Sequence, residues 1–241
     1  MSAPLEVGDL SARHGGLHAV RGVSLRLHAA EAVALVGANG AGKSTLLRTL
    51  AGTHPAATGR VLLQGVDVTS RAAHERVRMG LALVPEGRRL FGDMTVRENL
   101  LVAGENGRRG PWTLAAVLDA LPALRPLAGL PAQALSGGQR QAVAIGRALM
   151  ANPEVLLIDE VSLGLSPLAV QTVYDSLSAL RQHGATTLLL VEQDLDRALA
   201  FADRVLCMRE GTIVLEGDAK ELSRDAITQA YFGLESSEAA A

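Results

Sequence analysis

Ala32-Val33-Ala34-Leu35-Val36-Gly37-Ala38-Asn39-Gly40-Ala41-Gly42-Lys43-Ser44-Thr45 is an apolar run that gives way to glycines and then to Lys-Ser-Thr. Five apolar residues without polar alternation read as a strand buried on both faces, as in a parallel sheet. Gly37 to Ser44 fits G-x-x-x-x-G-K-[ST], a loop whose backbone N–H groups cradle phosphate between a strand and a helix. Gly37, Gly40 and Gly42 allow close approach of the backbone, and the helix beginning at Ser44 adds its positive end. Lys43 is expected to reach the β- and γ-phosphates of a nucleotide, and the Ser44 hydroxyl to ligate Mg²⁺. Ala38, Asn39, Ala41 and Thr45 complete the expected phosphate-binding stretch. A glycine-rich turn with an incidental lysine is the bland alternative. Lysine occurs only at positions 43 and 220 of an arginine-rich chain, which argues that a compact ammonium is needed at 43.

Two further stretches acquire meaning beside the first. Val155-Leu156-Leu157-Ile158-Asp159-Glu160 is an apolar run ending in two acids, which fits a buried strand delivering carboxylates to a metal and a water. Asp159 is expected to hold Mg²⁺, and Glu160 to orient and deprotonate the attacking water; a positioned base of this kind contributes roughly 10²–10⁴-fold. Leu135-Ser136-Gly137-Gly138-Gln139 precedes a helical pattern, and Ser136 would cap that helix whatever else it does.

Composition narrows the classes. The chain has 241 residues, 48% apolar and 20% charged, enough for a substantial core. A net charge of −2 leaves no electrostatic footprint for nucleic acid. Cys207 is the only cysteine, so no intrachain disulfide forms and a reducing cytoplasm is expected. No apolar run reaches the ~18 residues of a membrane span, and Met1–Glu6 lacks the regions of a signal peptide. Any membrane role is therefore expected through a partner.

Strand and helix patterns alternate, predicting an α/β fold. Strands are expected at 59–63, 81–84 and 186–191, an amphipathic helix around Val170, Val173, Leu177 and Leu180, and a hairpin turning at Glu210-Gly211. From about Gly87 to Ala151 the texture is helical, with segments at 96–102 and 113–120 and loops holding Pro111, Pro122, Pro126 and Pro131. This reads as a helical subdomain inserted in the core.

With these motifs in hand, the chain resembles the ATP-binding cassette (ABC) ATPases over about residues 5–234, the Leu-Ser-Gly-Gly-Gln signature being the distinguishing mark. The resemblance implies one nucleotide-binding domain over 1–241: a P-loop NTPase (RecA-like) core at 1–86 and 152–234 with an antiparallel β subdomain, a helical subdomain at 87–151, and a disordered tail at 235–241. It implies ATP and Mg²⁺ as ligands. It also implies a head-to-tail dimer in which Ser136, Gly137, Gly138 and Gln139 face the γ-phosphate held by the partner. Ser162-Leu163-Gly164-Leu165 matches a loop that crosses that interface, with Val161 where the family usually has proline.

Three positions depart from the usual chemistry. Glu86 stands where most relatives have a glutamine that contacts Mg²⁺; a carboxylate binds the ion more strongly but crowds an acidic site. Gln193 stands where most have a histidine against the γ-phosphate, and an amide can hydrogen-bond but not shuttle a proton. Glu160 is then the sole base, with Lys43 and Gln193 positioning phosphate. His14 stands where an aromatic stacks on adenine, and a smaller imidazole gives less than the ~1–3 kcal/mol of a full stack.

Pro85-Glu86-Gly87-Arg88-Arg89-Leu90-Phe91, Met94–Leu100 and Val191-Glu192-Gln193 are similar to the LivF-type ATPases of branched-chain amino acid importers. Leu-Ser-Gly-Gly-Gln-Arg-Gln departs from that pattern, which often has Glu after the second glycine. The implied assembly is this subunit with a LivG-like ATPase, or with itself, on two membrane permeases served by a solute-binding protein, at the inner face of the cell membrane. A groove beside 86–100 would receive the permease, with Phe91, Met94 and Val96 as candidate apolar contacts, at least one of which is expected to be subdomain core instead. Alternatives are an importer of urea, amides or other small solutes, a permease-free assembly or regulatory module, and a binding-only subunit with a dead site.

Overall fold

Leu5, Val7, Leu10 and Ala12 are buried and most residues between them are not, the period-two signature of a strand with one wet face. In the computed structural model, which describes residues 3–182 and 186–233, this segment is β1 (Leu5–His14), antiparallel to β2 (Leu17–Leu27). The chain then enters a second sheet through β3 (Ala32–Val36) and turns through the glycine-rich loop into α1 (Lys43–Leu50). β4 (Thr58–Leu63) and β5 (Val66–Asp67) return to the first sheet, giving it the order β2-β1-β4-β5.

After α2 (Ala73–Arg78), β6 (Leu81–Val84) joins the second sheet. Next come α3 (Val96–Asn106), α4 (Leu114–Ala120), two 3₁₀ turns at Pro122–Leu127 and Ala132–Ala134, and α5 (Gly137–Leu149). β7 (Val155–Ile158), α6 (Pro167–Gln182), β8 (Thr187–Val191), α7 (Leu195–Phe201), β9 (Arg204–Arg209), β10 (Thr212–Asp218) and α8 (Arg224–Phe232) complete the described chain. The second sheet has the order β10-β9-β3-β8-β7-β6. Its strands run parallel except β10, which folds back on β9 at Glu210-Gly211.

Two cores share that sheet. Val33, Leu35, Leu157, Leu189, Val191, Leu206 and Met208 pack with the first sheet and the Leu46, Leu47 and Leu50 stripe of α1. Ala32, Ala34, Val36, Leu156, Ile158, Leu188, Leu190 and Cys207 face the helices on the other side. Both sets are buried, which is why β3, β7 and β8 carry no polar alternation. Val117, Leu121 and Leu124 of the helical region belong to the same buried cluster as Ile158 and Leu190. The helical texture read over 87–151 is therefore packed into the core's helix layer through α5.

α3 runs four residues past the expected 96–102. Its start is set by a capping box: Thr95 Oγ1 accepts from Glu98 N and Glu98 Oε2 accepts from Thr95 N. Val96 is fully buried, which removes it from the apolar surface expected beside 86–100; Phe91 and Met94 are exposed at 51% and 37%. β8 begins at Thr187, one residue later than expected. The tail expected at 235–241 lies outside the described residues.

Register decides where function gathers. Ile158 pairs with Val84 on one side and Leu190 on the other, while Leu35 pairs with Val191. The residues that follow these strands, at 37, 85–86, 159–160 and 192–193, therefore emerge side by side along one edge, where parallel α/β sheets place their ligands.

Candidate functional site

The loop after β3 is held against the fold more tightly than glycine content alone shows. Gly37 has φ +149° and a Cβ there would stand 2.1 Å from the Met208 carbonyl; Gly42 has φ +105° and its Cβ would stand 2.0 Å from the Ala19 carbonyl. No other residue fits either position without moving backbone. Lys43 is buried and its ammonium donates to the carbonyls of Gly37, at 2.5 Å, and Ala38, at 2.8 Å. Burial holds its pKa below the usual lysine value, opposed by the charges of Glu160 and Asp159.

Ser44 donates its hydroxyl to Asp159 Oδ1 at 2.9 Å, joining the start of α1 to the end of β7. Asp159 Oδ2 is buried with no hydrogen-bond partner, and so is Glu160 Oε2. Burial is the first cause that raises both carboxyls above the ordinary carboxylate range; the negative charge of Glu86 pushes the same way on each. Glu160 also has φ +54°, a left-handed conformation that costs a non-glycine residue of order 1–3 kcal/mol and recurs at functional sites. Gln193 Nε2 donates to Glu160 Oε1 at 3.3 Å, so the two residues read as base and positioner are in contact.

Lys43, Ser44 and Glu160 open on a cleft of 530 Å³, a size suited to a nucleotide, whereas Gly37 and Asp159 are not in its lining and Gln193 lines a neighbouring cleft with Ser162 and Glu192. Lys43, Ser44, Thr45 and Glu160 form one part of its wall, with Asn39, Gly40 and Gly42. His14, Leu17, His18 and Arg21 form another, and Glu210-Gly211 of the β9–β10 turn a third. His14 is thus brought to the cleft. Its ring lies 6.1 Å from that of His54, tilted by 30°.

Whether Mg²⁺ suits the site can be judged from its donors. A hydroxyl oxygen and an unpartnered buried carboxylate oxygen, both hard ligands, are what a Mg²⁺ shared with phosphates and water needs. No group of three or more His, Cys, Asp and Glu among the described residues forms a cage for a metal by itself. Glu86, expected as a further Mg²⁺ contact, is half-exposed and holds an ion pair. Its Oε2 accepts from Arg48 Nη2 of α1 at 3.3 Å, a partner that the sequence did not point to.

The signature residues are elsewhere. Ser136 caps α5, accepting from Gln139 N while Gln139 Oε1 accepts from Ser136 N. Gly137 is packed against the Ser162–Leu165 loop and Gly138 against α6: added Cβ atoms would stand 3.2 Å from a Leu165 methyl and 2.6 Å from Ala169 Cβ. None of the four lines the 530 Å³ cleft. Within one chain, only the capping role of Ser136 is satisfied.

The model of the family described as ABC transporter matches residues 20–162. The high-affinity branched-chain amino acid transport ATP-binding protein BraG of Pseudomonas aeruginosa is 39% identical over 95% of this chain and 99% of its own length. The chain belongs to the ABC transporter ATP-binding family. A probable branched-chain amino acid transport ATP-binding protein, LivF of Archaeoglobus fulgidus, is 36% identical to this cassette over 90% of it and 93% of LivF. The ADP-bound crystal structure of another ABC transporter cassette superposes with a TM-score of 0.82 at 29% identity, covering 97% of this chain and all of that one. The cassette is therefore a nucleotide-binding α/β protein homologous to the ATPases of branched-chain amino acid importers, as the motifs led one to expect. No described helix is long and apolar enough to cross a membrane.

Proposed function

We propose that this cassette hydrolyses ATP to ADP and phosphate and thereby drives an importer of branched-chain amino acids. The observation that carries the hydrolytic reading is Glu160: a carboxyl with one unpartnered oxygen, next to the Gln193 amide, in the same cleft as Lys43 and Ser44. The loop from Gly37 to Thr45 wraps the phosphates, and Lys43 exchanges carbonyl partners for β- and γ-oxygens. Ser44 and Asp159 would hold Mg²⁺, which would neutralise charge on the phosphate oxygens. Glu160 takes the proton of the attacking water, and Gln193 orients Glu160 and the γ-phosphate by hydrogen bonds. His14 meets the base at the far end of the cleft. Glu86 acts on the site through charge rather than as an inner ligand, since Arg48 engages it.

A second cassette, LivG-like or a copy of this chain, supplies the signature across a head-to-tail interface, so that Ser136–Gln139 close over the nucleotide bound here. One of two permeases docks on the cytoplasmic side of the membrane beside 86–100, at exposed Phe91 and Met94; a groove lined by His74, Val77, Arg78, Ala103 and Arg147 adjoins Phe91, whose ring lies 5.9 Å from the Arg147 guanidinium. A solute-binding protein delivers the cargo to them. The domain boundaries read from the sequence follow the same reading, with 87–151 as the part that moves with the permease.

Two measurements test this. Phosphate release by the cassette with its permeases is expected to fall at least 100-fold in Glu160→Gln while ATP binding persists. Uptake of labelled leucine, isoleucine and valine is expected to vanish on gene deletion. Loss of urea uptake instead would move the cargo to another solute, and unaltered phosphate release in Glu160→Gln would remove the base.

A further inference from the structure

Asp159 and Glu192 are the two fully buried carboxylates among the described residues, and they are opposites. Asp159 has a bare oxygen; Glu192 has none. Glu192 Oε1 accepts from Ser162 Oγ at 2.7 Å, Gln193 N at 2.8 Å and Asp194 N at 3.0 Å, and Oε2 accepts from Tyr174 OH at 2.5 Å. The Tyr174 hydroxyl is held protonated by burial and then by the Glu192 charge, so it remains a donor at any physiological pH. Four donors from three places meet on this group: the loop after β7, α6, and the loop after β8.

A buried charge of this kind is poor value as a stabiliser, since taking it out of water offsets much of what its bonds contribute. Its distinct property is geometric, because a carboxylate that gathers three donors on one oxygen and a fourth on the other favours one arrangement of them. Ser162 stands two residues after Glu160, and Gln193 directly after Glu192. The Gln193–Glu160 contact is thereby bracketed by the Glu192–Ser162 bond and by the backbone bond from Val161 N to Val191 O at 3.3 Å.

We infer that Glu192 is a positioning residue: it ties the Ser162–Leu165 loop to the backbone of Gln193 and so fixes the Gln193 amide against Glu160. This rests on reading Glu160 and Gln193 as the hydrolytic pair. Glu192 touches no reacting atom. Its loss loosens both loops together, lowering turnover and leaving nucleotide binding nearly intact.

The test is ATP turnover by the cassette with its permeases, in Glu192→Ala, Glu192→Gln, Ser162→Ala, Gln193→Ala and the pairs with Gln193→Ala. Misplacement of a reacting group by ~1 Å can cost about 10²-fold, so Glu192→Ala is expected to lower kcat by about 10–100-fold with KM for ATP within about 3-fold. Glu192→Gln keeps an oxygen for the Ser162, Gln193 and Asp194 donors and donates its amide N–H to the Tyr174 hydroxyl, which rotates to accept, and is expected to recover most of that loss. Residues acting as one unit are non-additive, so Glu192→Ala is expected to cost little in the Gln193→Ala background.

Wild-type kcat in Glu192→Ala, additive losses, or a loss carried by KM overturns the inference. Should Glu192→Ala not fold, Ser162→Ala decides: a several-fold fall in kcat, absent in the Gln193→Ala background, supports the tie, and an unchanged kcat ends it. Full activity of Gln193→Ala sinks the hydrolytic pair and the inference with it, whereas impaired Gln193→Ala beside intact Glu192→Ala sinks the inference alone.

Discussion

Glu160 carries its carboxyl above the usual range because burial, Glu86 and Asp159 all disfavour its charge, with Lys43 and Gln193 opposing. A general base works deprotonated, so kcat/KM, which reports the nucleotide-free protein, falls as pH drops through this raised value, with its acid limb at higher pH than for an ordinary glutamate. Glu86→Gln removes one of the causes and is expected to move that limb to lower pH, read from kcat/KM across pH 5–8. An unmoved limb would detach Glu86 from the site. Asp159 makes a stability argument of the same kind. Its folded pKa is raised, so it weakens the nucleotide-free fold fully above that pKa and not at all below the unfolded one. Asp159→Asn keeps the Ser44 contact and removes the bare charge. At pH 7 it is expected to raise the nucleotide-free Tm by a few degrees, about 2–4 °C for each kcal/mol, while abolishing turnover. At this scale the sequence was a good guide. Lys43, Ser44, Asp159 and Glu160 were placed by local motifs, because a strand end delivers the next one or two residues wherever the strand goes. Arg48 opposite Glu86 was not foreseen, since no pattern links a helix residue to a loop 38 positions away.

Among the elements, the loop after β6 is the most strained. Gly87, Arg88 and Arg89 are consecutively left-handed, at φ +75°, +64° and +45°. For the two arginines this costs on the order of 1–2 kcal/mol each. The fork of Arg147, from α5, donates to the carbonyls of Arg89 at 2.8 Å and Arg88 at 3.1 Å, and Arg88 Nε donates to Gln141 Oε1 of α5 at 3.0 Å. A loop beside Glu86 is thus clamped to the signature helix. Lysine cannot reproduce the two-pronged contact. Arg147→Lys is expected to speed amide hydrogen exchange across 85–91 at least tenfold and to weaken stimulation of turnover by permeases; unchanged exchange would refute the clamp. The signature's two readings can also be separated at Ser136. Aspartate is as good an N-cap as serine, but its charge would face a partner's γ-phosphate. Ser136→Asp is expected to hold Tm within about 1 °C, since the cap's ~1 kcal/mol is kept, and to abolish turnover in the assembled protein. A fall in Tm with normal turnover would make Ser136 a cap and nothing more.

For the whole molecule, the proposed reading needs a second chain, because Glu160 lines the cleft while the Ser136 helix tip lies outside it. Glu160→Gln, which retains ATP, is expected to trap the closed pair. With MgATP its mass should double from 25.1 kDa, alone or on addition of a LivG-like cassette, and with MgADP it should not. A single mass under every condition would contradict the head-to-tail arrangement. The apolar runs 32–36, 155–158 and 188–191 marked buried strands of an α/β fold by themselves, because only strands covered on both faces lack polar alternation, and the register then shows them parallel. The Gly37–Ser44 loop likewise announced phosphate, since its glycines and lysine are needed within eight consecutive residues. Partnership between distant residues was decided only by tertiary structure. Val96 proved to be core, Glu86 turned to Arg48, and Glu192 became the meeting point of Ser162 and Tyr174. A lone acid in a sequence has no address for its hydrogen bonds, and register between β7 and β8 supplies one by bringing loops 30 residues apart within 3 Å.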